Sequence, residues 1–390
     1  MLIYFTFVSW GFSYNGFRNN SINLFVYGLC TLIFLYFLTQ FLKFRRRKIP
    51  LFGYVACLSI LPLITIALKQ QIRPEPINPE MEATIMGAFS VGLFCWYYNR
   101  HITESELVNT LICISMITLI LQVFQNLFPE AAMFGTYQED VYNNYGELQI
   151  ASERNGILSF RIATNRASIV CLFFFWCRLL RNFTFKDFLF FLCFSVSIYL
   201  NMTRQVLGVI AFVLLYSYAK QLGSGHTIQK ITFGFVSIFL LYYFWDDLFG
   251  NLIGMLKDDT YTIDIRGIAL PYIFNESSDN IIQFLFGHGG LTERENIWEQ
   301  SGIYISDVGF VGELFRYGLV WILMYFGFII YSFKKRRVTP HYINLFLLAT
   351  FLDCIFIFPY RNVQEIFVWV ICLYIMSLHL RKDKESILPR

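Results

Sequence analysis

The chain has 390 residues, of which 56% are hydrophobic, 19% aromatic and 15% charged, with a formal net charge of +4 and a mean hydropathy of +0.52. That balance excludes a soluble globule with a polar surface, because too few charged residues remain to cover it. The small positive charge reflects Lys and Arg placement in loops and gives no support for nucleic-acid binding.

Apolar stretches long enough to cross about 30 Å of hydrocarbon as helices fall near residues 2–15, 21–42, 50–68, 81–98, 107–128, 163–180, 187–201, 203–219, 230–249, 304–333, 341–358 and 362–380. The sequence therefore predicts an all-α, polytopic integral membrane protein, a single transmembrane domain over residues 1–390 with about twelve helices. The N-terminal stretch lacks a basic lead region and a small-residue cleavage site, so it reads as a retained helix.

Orientation follows from basic residues in loops. Lys43 with Arg45 to Lys48, Arg178 with Arg181 and Lys186, Lys334 to Arg337, and Arg381, Lys382 and Lys384 alternate with the spans so as to share one side. They are joined by Arg100, Lys220, Lys230 and Arg390. This side reads as cytoplasmic, with both termini on it. All nine cysteines fall in predicted helices, so no disulfide framework is implied. The cytoplasmic loops are short, hold no Gly-rich phosphate loop and offer few carboxylates, so they support neither ATP hydrolysis nor use of a cytoplasmic nucleotide-sugar. Chemistry is expected at the outer face, on a substrate that carries its own leaving group.

Two outer segments are large enough to bind or cover something, residues 129–162 and 250–303. The first ends in Glu153-Arg154-Asn155-Gly156 and in Phe160-Arg161-Ile162-Ala163-Thr164-Asn165-Arg166. The second carries Asp264, Arg266 and the turn-forming Phe286-Gly287-His288-Gly289-Gly290. Arg204 opens an apolar run one short turn past the end of another, and an arginine so placed is either paired or awaits an anionic ligand. Guanidinium groups match phosphate oxygens bidentately and stay charged at physiological pH. Arg161, Arg166, Arg204 and Arg266, brought together by folding, would form a diphosphate cradle. Each also has a plainer reading: Arg161 and Arg166 as snorkelling helix-end anchors, Arg266 as a surface partner of Asp264 or Asp259.

These residues carry a resemblance. Asn201-Met202-Thr203-Arg204-Gln205-Val206-Leu207-Gly208 resembles the Ser/Thr-Arg helix mouth of Wzy-type O-antigen polymerases and the related O-antigen ligases. Ile265-Arg266-Gly267-Ile268-Ala269 with Phe286-Gly287-His288-Gly289-Gly290 resembles their outer-loop pattern, Ile305-Ser306-Asp307-Val308-Gly309-Phe310 to Gly318-Leu319 their re-entering helix, and Arg161 to Ala167 the segment after the earlier loop. The matches are short, span roughly residues 155 to 335 in the family's order, and leave the first four spans matched in hydropathy alone.

The resemblance implies a glycosyltransferase of the bacterial cytoplasmic membrane. Its reaction would polymerise undecaprenyl diphosphate-linked oligosaccharide repeat units at the outer face, with a flippase and a chain-length regulator as candidate partners. Arg204 and Arg266 would clamp the diphosphate, with Arg161 in support. His288 is the only one of the five histidines that this topology places outside. It suits a general base, although a solvated histidine between Gly287 and Gly289 needs no function. The ligase histidine lies nearer the re-entering helix, where this chain has Asp307, which favours polymerase over ligase. Asp307 and Glu313 could orient or deprotonate an acceptor hydroxyl, or each could pair with Arg316, which lies three residues past Glu313 on one helical face.

No cofactor or metal is expected. Asp246-Asp247 and Asp258-Asp259 could hold a divalent cation, but adjacent carboxylates at a helix exit are more often solvated, and the first outer loop, Gly11 to Asn20, has no acid for a metal. Asp353, inside a span, is functional by default unless it pairs with Arg361. The rival class is a transporter such as a lipid-linked glycan flippase. It would show internal repeats and Gly- or Pro-broken helices at matching places, and no repeat is visible between the halves.

Overall fold

The computed structural model describes residues 20–72, 74, 79–128, 151–154, 157–160, 165–200, 204–221, 271, 273, 275, 280–288, 309–354 and 363–387. In chain order the described elements are α1 (Asn20–Arg46), α2 (Phe52–Ile72), α3 (Pro79–Ser90), α4 (Leu93–Asn99), α5 (Glu104–Leu127), a hairpin of β1 (Ala151–Arg154) and β2 (Ile157–Phe160), α6 (Asn165–Arg181), α7 (Phe185–Leu200), α8 (Arg204–Gln221), α9 (Ile281–Phe286), α10 (Phe310–Lys334), α11 (His341–Asp353) and α12 (Val363–Ile387).

The expected helical fold is thus observed, with one short hairpin in the first outer segment. Its antiparallel register pairs Arg154 with Ile157, leaving Asn155-Gly156 as the connection, the residue pair that two-residue hairpins favour. Four described helices are long and apolar enough to cross a membrane: Gly28–Arg46, Phe52–Ile72, Glu104–Phe124 and Phe310–Lys334. The chain has the build of a membrane protein, and the predicted spans near 2–15 and 230–249 lie outside the described residues.

Burial separates central from peripheral helices. In α12 every residue from Phe367 to Met376 is buried, as is every residue of α6 from Arg166 to Phe173, and a helix buried all round lies inside a bundle. Trp369 anchors this core, its ring edge-on to Tyr325 and Phe328 and tilted against Phe346. By contrast, α1 turns Leu32, Leu35, Leu38 and Leu42 outward and α7 turns Phe185, Leu189 and Val196 outward. Apolar stripes of this kind suit a hydrocarbon solvent and not water.

Two predicted spans are broken. The stretch at 81–98 divides into α3 and α4 at Val91-Gly92. There a Cβ on Gly92 would meet the Ile33 carbonyl oxygen of α1, so the missing side chain lets the two backbones touch. The helix at 304–333 appears as α10, interrupted by non-helical Gly318 at φ 80°, ψ 174°.

The helix ends carrying the basic clusters fall on one face. The Tyr342 hydroxyl donates to Glu104 at 2.7 Å, His379 lies 2.8 Å from the same carboxylate, and Ser377 donates to the Pro50 carbonyl at 2.9 Å. Ser217 near the end of α8 meets His341 at the start of α11, and Arg178 binds Asp187 across the α6–α7 turn. A capping box of Thr103 and Glu106 starts α5 here. The opposite face therefore holds the starts of α6, α8 and α10 and the end of α11.

Candidate functional site

Four of the residues singled out in the sequence converge on that opposite face, inside helices. Arg166, in the first turn of α6, donates from a guanidinium nitrogen to Asp353 Oδ2 at 2.5 Å, with both side chains buried. Arg316 donates to Glu313 at 3.4 Å across one turn of α10, and both are buried, as the three-residue spacing predicts. The Phe310 N–H donates to the Cys354 carbonyl at 2.9 Å, which ties the start of α10, carrying the second pair, to the end of α11, carrying Asp353 of the first. Measured along their helices, Arg166, Asp353, Gly318 and Thr65 lie roughly 18 to 24 Å from the basic face, at about 1.5 Å per residue. Those depths lie in the far half of a hydrocarbon core about 30 Å thick.

Beside the cluster, two helices break against each other. Asn280 caps α9 by accepting from the Ile282 N–H at 2.9 Å, and the helix stops at Gly287, φ 81°, ψ 176°. A Cβ on Gly287 would lie 2.2 Å from the Arg316 carbonyl oxygen, and one on Gly318 would lie 2.4 Å from the Leu285 carbonyl oxygen. Each glycine thus occupies a left-handed conformation and a contact that a side chain would close. Two of the backbone carbonyls released by the breaks find partners locally, as the interior of a membrane protein demands. The His288 N–H donates to the Phe315 carbonyl at 2.8 Å, and the Thr65 hydroxyl of α2 donates to the Phe286 carbonyl at 2.5 Å.

His288 is part of this crossing and not a solvated turn residue. It is 9% exposed, its ring stacks on Phe315 at 4.0 Å, and Nδ1 lies 3.0 Å from the Phe315 carbonyl oxygen. A carbonyl only accepts, so Nδ1 carries a proton and donates it to this bond, which leaves Nε2 as the nitrogen that gains or loses one. The hydrogen bond thereby fixes a tautomer with Nε2 as the basic nitrogen.

For Arg166, the snorkelling anchor gives way to a buried ion pair, and the partner of Asp353 is Arg166 on another helix, while Arg361 lies outside the described residues. Arg204 is the first residue of α8, on the same face, and its side chain is not described. Arg161, Arg266 and Asp307 lie outside the described residues. Sequence reading missed Thr65, Tyr325 and Cys354 as supports, and it ended a span at residue 68, one short of Lys69, which is buried inside α2. The signal for Lys69 was a lysine continuing an apolar helix; the others carry no charge and gave none. Among the described residues no group of His, Cys, Asp and Glu is arranged to hold a metal ion.

The chain matches no protein-family model, no curated protein and no solved structure.

Proposed function

We propose that this chain is a glycosyltransferase of the bacterial cytoplasmic membrane, with cytoplasmic termini, that polymerises undecaprenyl diphosphate-linked oligosaccharide repeat units at the outer face. The observation that carries the reading is the convergence of Arg166, Asp353, Glu313 and Arg316 inside helices, with His288 just past the end of α9, on the face opposite the basic clusters. Charged groups held within membrane helices are costly and mark substrate paths.

In the proposed reaction an acceptor sugar hydroxyl attacks the anomeric carbon of the donor. The new C–O bond forms as the bond to the diphosphate breaks, the electron pair leaves with undecaprenyl diphosphate, and the hydroxyl proton passes to a base. Arg204 and Arg266, supported by Arg161, would stabilise charge developing on the diphosphate. His288 Nε2 would take the proton, its tautomer set through Nδ1, with Asp307 as the alternative. Glu313 and Arg316 neutralise each other and would shape the acceptor side.

An O-antigen ligase, which shares the donor, is the near alternative. A lipid-linked glycan flippase is a second reading, favoured by the crossed breaks at Gly287 and Gly318, since discontinuous helices are a transporter feature. Deleting the gene and sizing the surface glycan and the lipid-linked pool separates them. Single repeat units at the surface without a ladder indicate a polymerase. Polymer stranded on the lipid carrier indicates a ligase, single units retained inside indicate a flippase, and an unchanged profile refutes all three.

A further inference from the structure

Asp353 and Cys354 together touch three things that otherwise have no covalent reason to keep a fixed relation. Asp353 holds Arg166 at the start of α6. The Cys354 carbonyl accepts the Phe310 N–H at 2.9 Å, which ties down the first turn of α10, ahead of the break at Gly318. The Cys354 thiol donates to the Thr350 carbonyl at 3.0 Å, so the Tyr325 hydroxyl, 2.9 Å from the sulfur, is left to donate to it. Tyr325 lies on α10 beyond the break. One corner of the bundle therefore grips α10 on both sides of the only non-helical residue inside that helix.

We infer that the Arg166–Asp353 ion pair is a positioning device, one that sets the angle of α10 at Gly318 and thereby the placement of Glu313, Arg316 and His288. The chain of contacts runs from the ion pair to the end of α11, through the Cys354 carbonyl and sulfur to the two halves of α10, and through the Phe315 carbonyl to His288. A left-handed glycine is a soft point in a helix, and the half of α10 before it has only two turns of its own. In this inference Arg166 acts through other residues, a positioning role that stands beside the diphosphate-cradle role expected from the sequence. The consequence for catalysis rests on the proposed glycosyl transfer; the consequence for α10 does not.

The test is amide hydrogen exchange by mass spectrometry on the full-length chain in lipid nanodiscs, for wild type, Asp353→Asn, Arg166→Gln and Arg166→Lys. The first two should exchange about tenfold faster over residues 310–317 with residues 367–376 of α12 unchanged, as local opening requires, and Arg166→Lys, which keeps the charge, should fall between them and wild type. Unchanged exchange over 310–317, an equal acceleration over 367–376, or Lys behaving as Gln would overturn the inference. In the polymerisation assay, Asp353→Asn should lower kcat by about tenfold with KM for the lipid-linked unit held, the signature of lost positioning; a raised KM at constant kcat would overturn it. If wild type forms no polymer, the glycosyl-transfer reading fails while the exchange arm still decides the role of the pair.

Discussion

The two faces of the bundle are held together by different physics. On the basic face, Glu104 joins α5, α11 and α12 through Tyr342 and His379, yet the His379 and Glu104 side chains are 30% and 33% exposed, so water and salt weaken their attraction. On the opposite face Arg166 and Asp353 are buried, as are Glu313 and Arg316, and two helices break at crossed glycines. The first arrangement ties helix ends with groups that water could replace. In the second, few groups could be replaced without leaving a buried charge or a closed contact, and such expense is characteristic of a functional region.

Breaking either buried partner should show the contrast most strongly. Arg166→Leu or Asp353→Leu strands a buried charge and should cost about 3–5 kcal/mol, with the double variant costing less than the sum of the two; unfolding in detergent with a thermal or denaturant readout measures it. Next come the glycines. Gly318→Ala and Gly287→Ala each force a Cβ into a neighbouring carbonyl at positive φ, and each should cost upwards of about 1–3 kcal/mol. Gly28→Ala is the matched control, because a Cβ there meets nothing within 4 Å; it should be neutral or stabilise by up to about 1 kcal/mol. Equal effects at Gly28 and Gly318 would remove the crossing from the account.

Thr65→Val keeps the shape and deletes the hydrogen bond to the Phe286 carbonyl, so about 1–2 kcal/mol should be lost. His379→Gln on the basic face should cost less than about 1 kcal/mol, and added salt should shrink the difference. A basic-face effect as large as that of Asp353→Leu would collapse the distinction between the faces.

Much of this contrast was legible in the sequence, and for physical reasons. Hydropathy located α1, α2, α5 and α10 because length and apolarity are local properties, and Lys and Arg in short loops sorted helix ends onto one face. Asp353 and Arg166 stood out because a charge in an apolar run is conspicuous. Their pairing did not, since they lie 187 residues apart and only the fold brings α6 to α11. Gly287 was visible as a turn in Gly-His-Gly-Gly, whereas Gly318 looks like any glycine in a membrane helix until its neighbour across the gap is known. His288 was found for its residue type, but its burial and tautomer depend on Phe315, which no spacing rule connects to it.

The most direct test is to reconstitute the chain in vesicles with labelled undecaprenyl diphosphate-linked repeat units on the outer face and to size the product, with Arg204→Ala/Arg266→Ala alongside. Wild type should give a ladder of polymer without added nucleotide, and the double variant none. A ladder that survives loss of both arginines would contradict the proposed diphosphate clamp, and no ladder from wild type would contradict the polymerase itself.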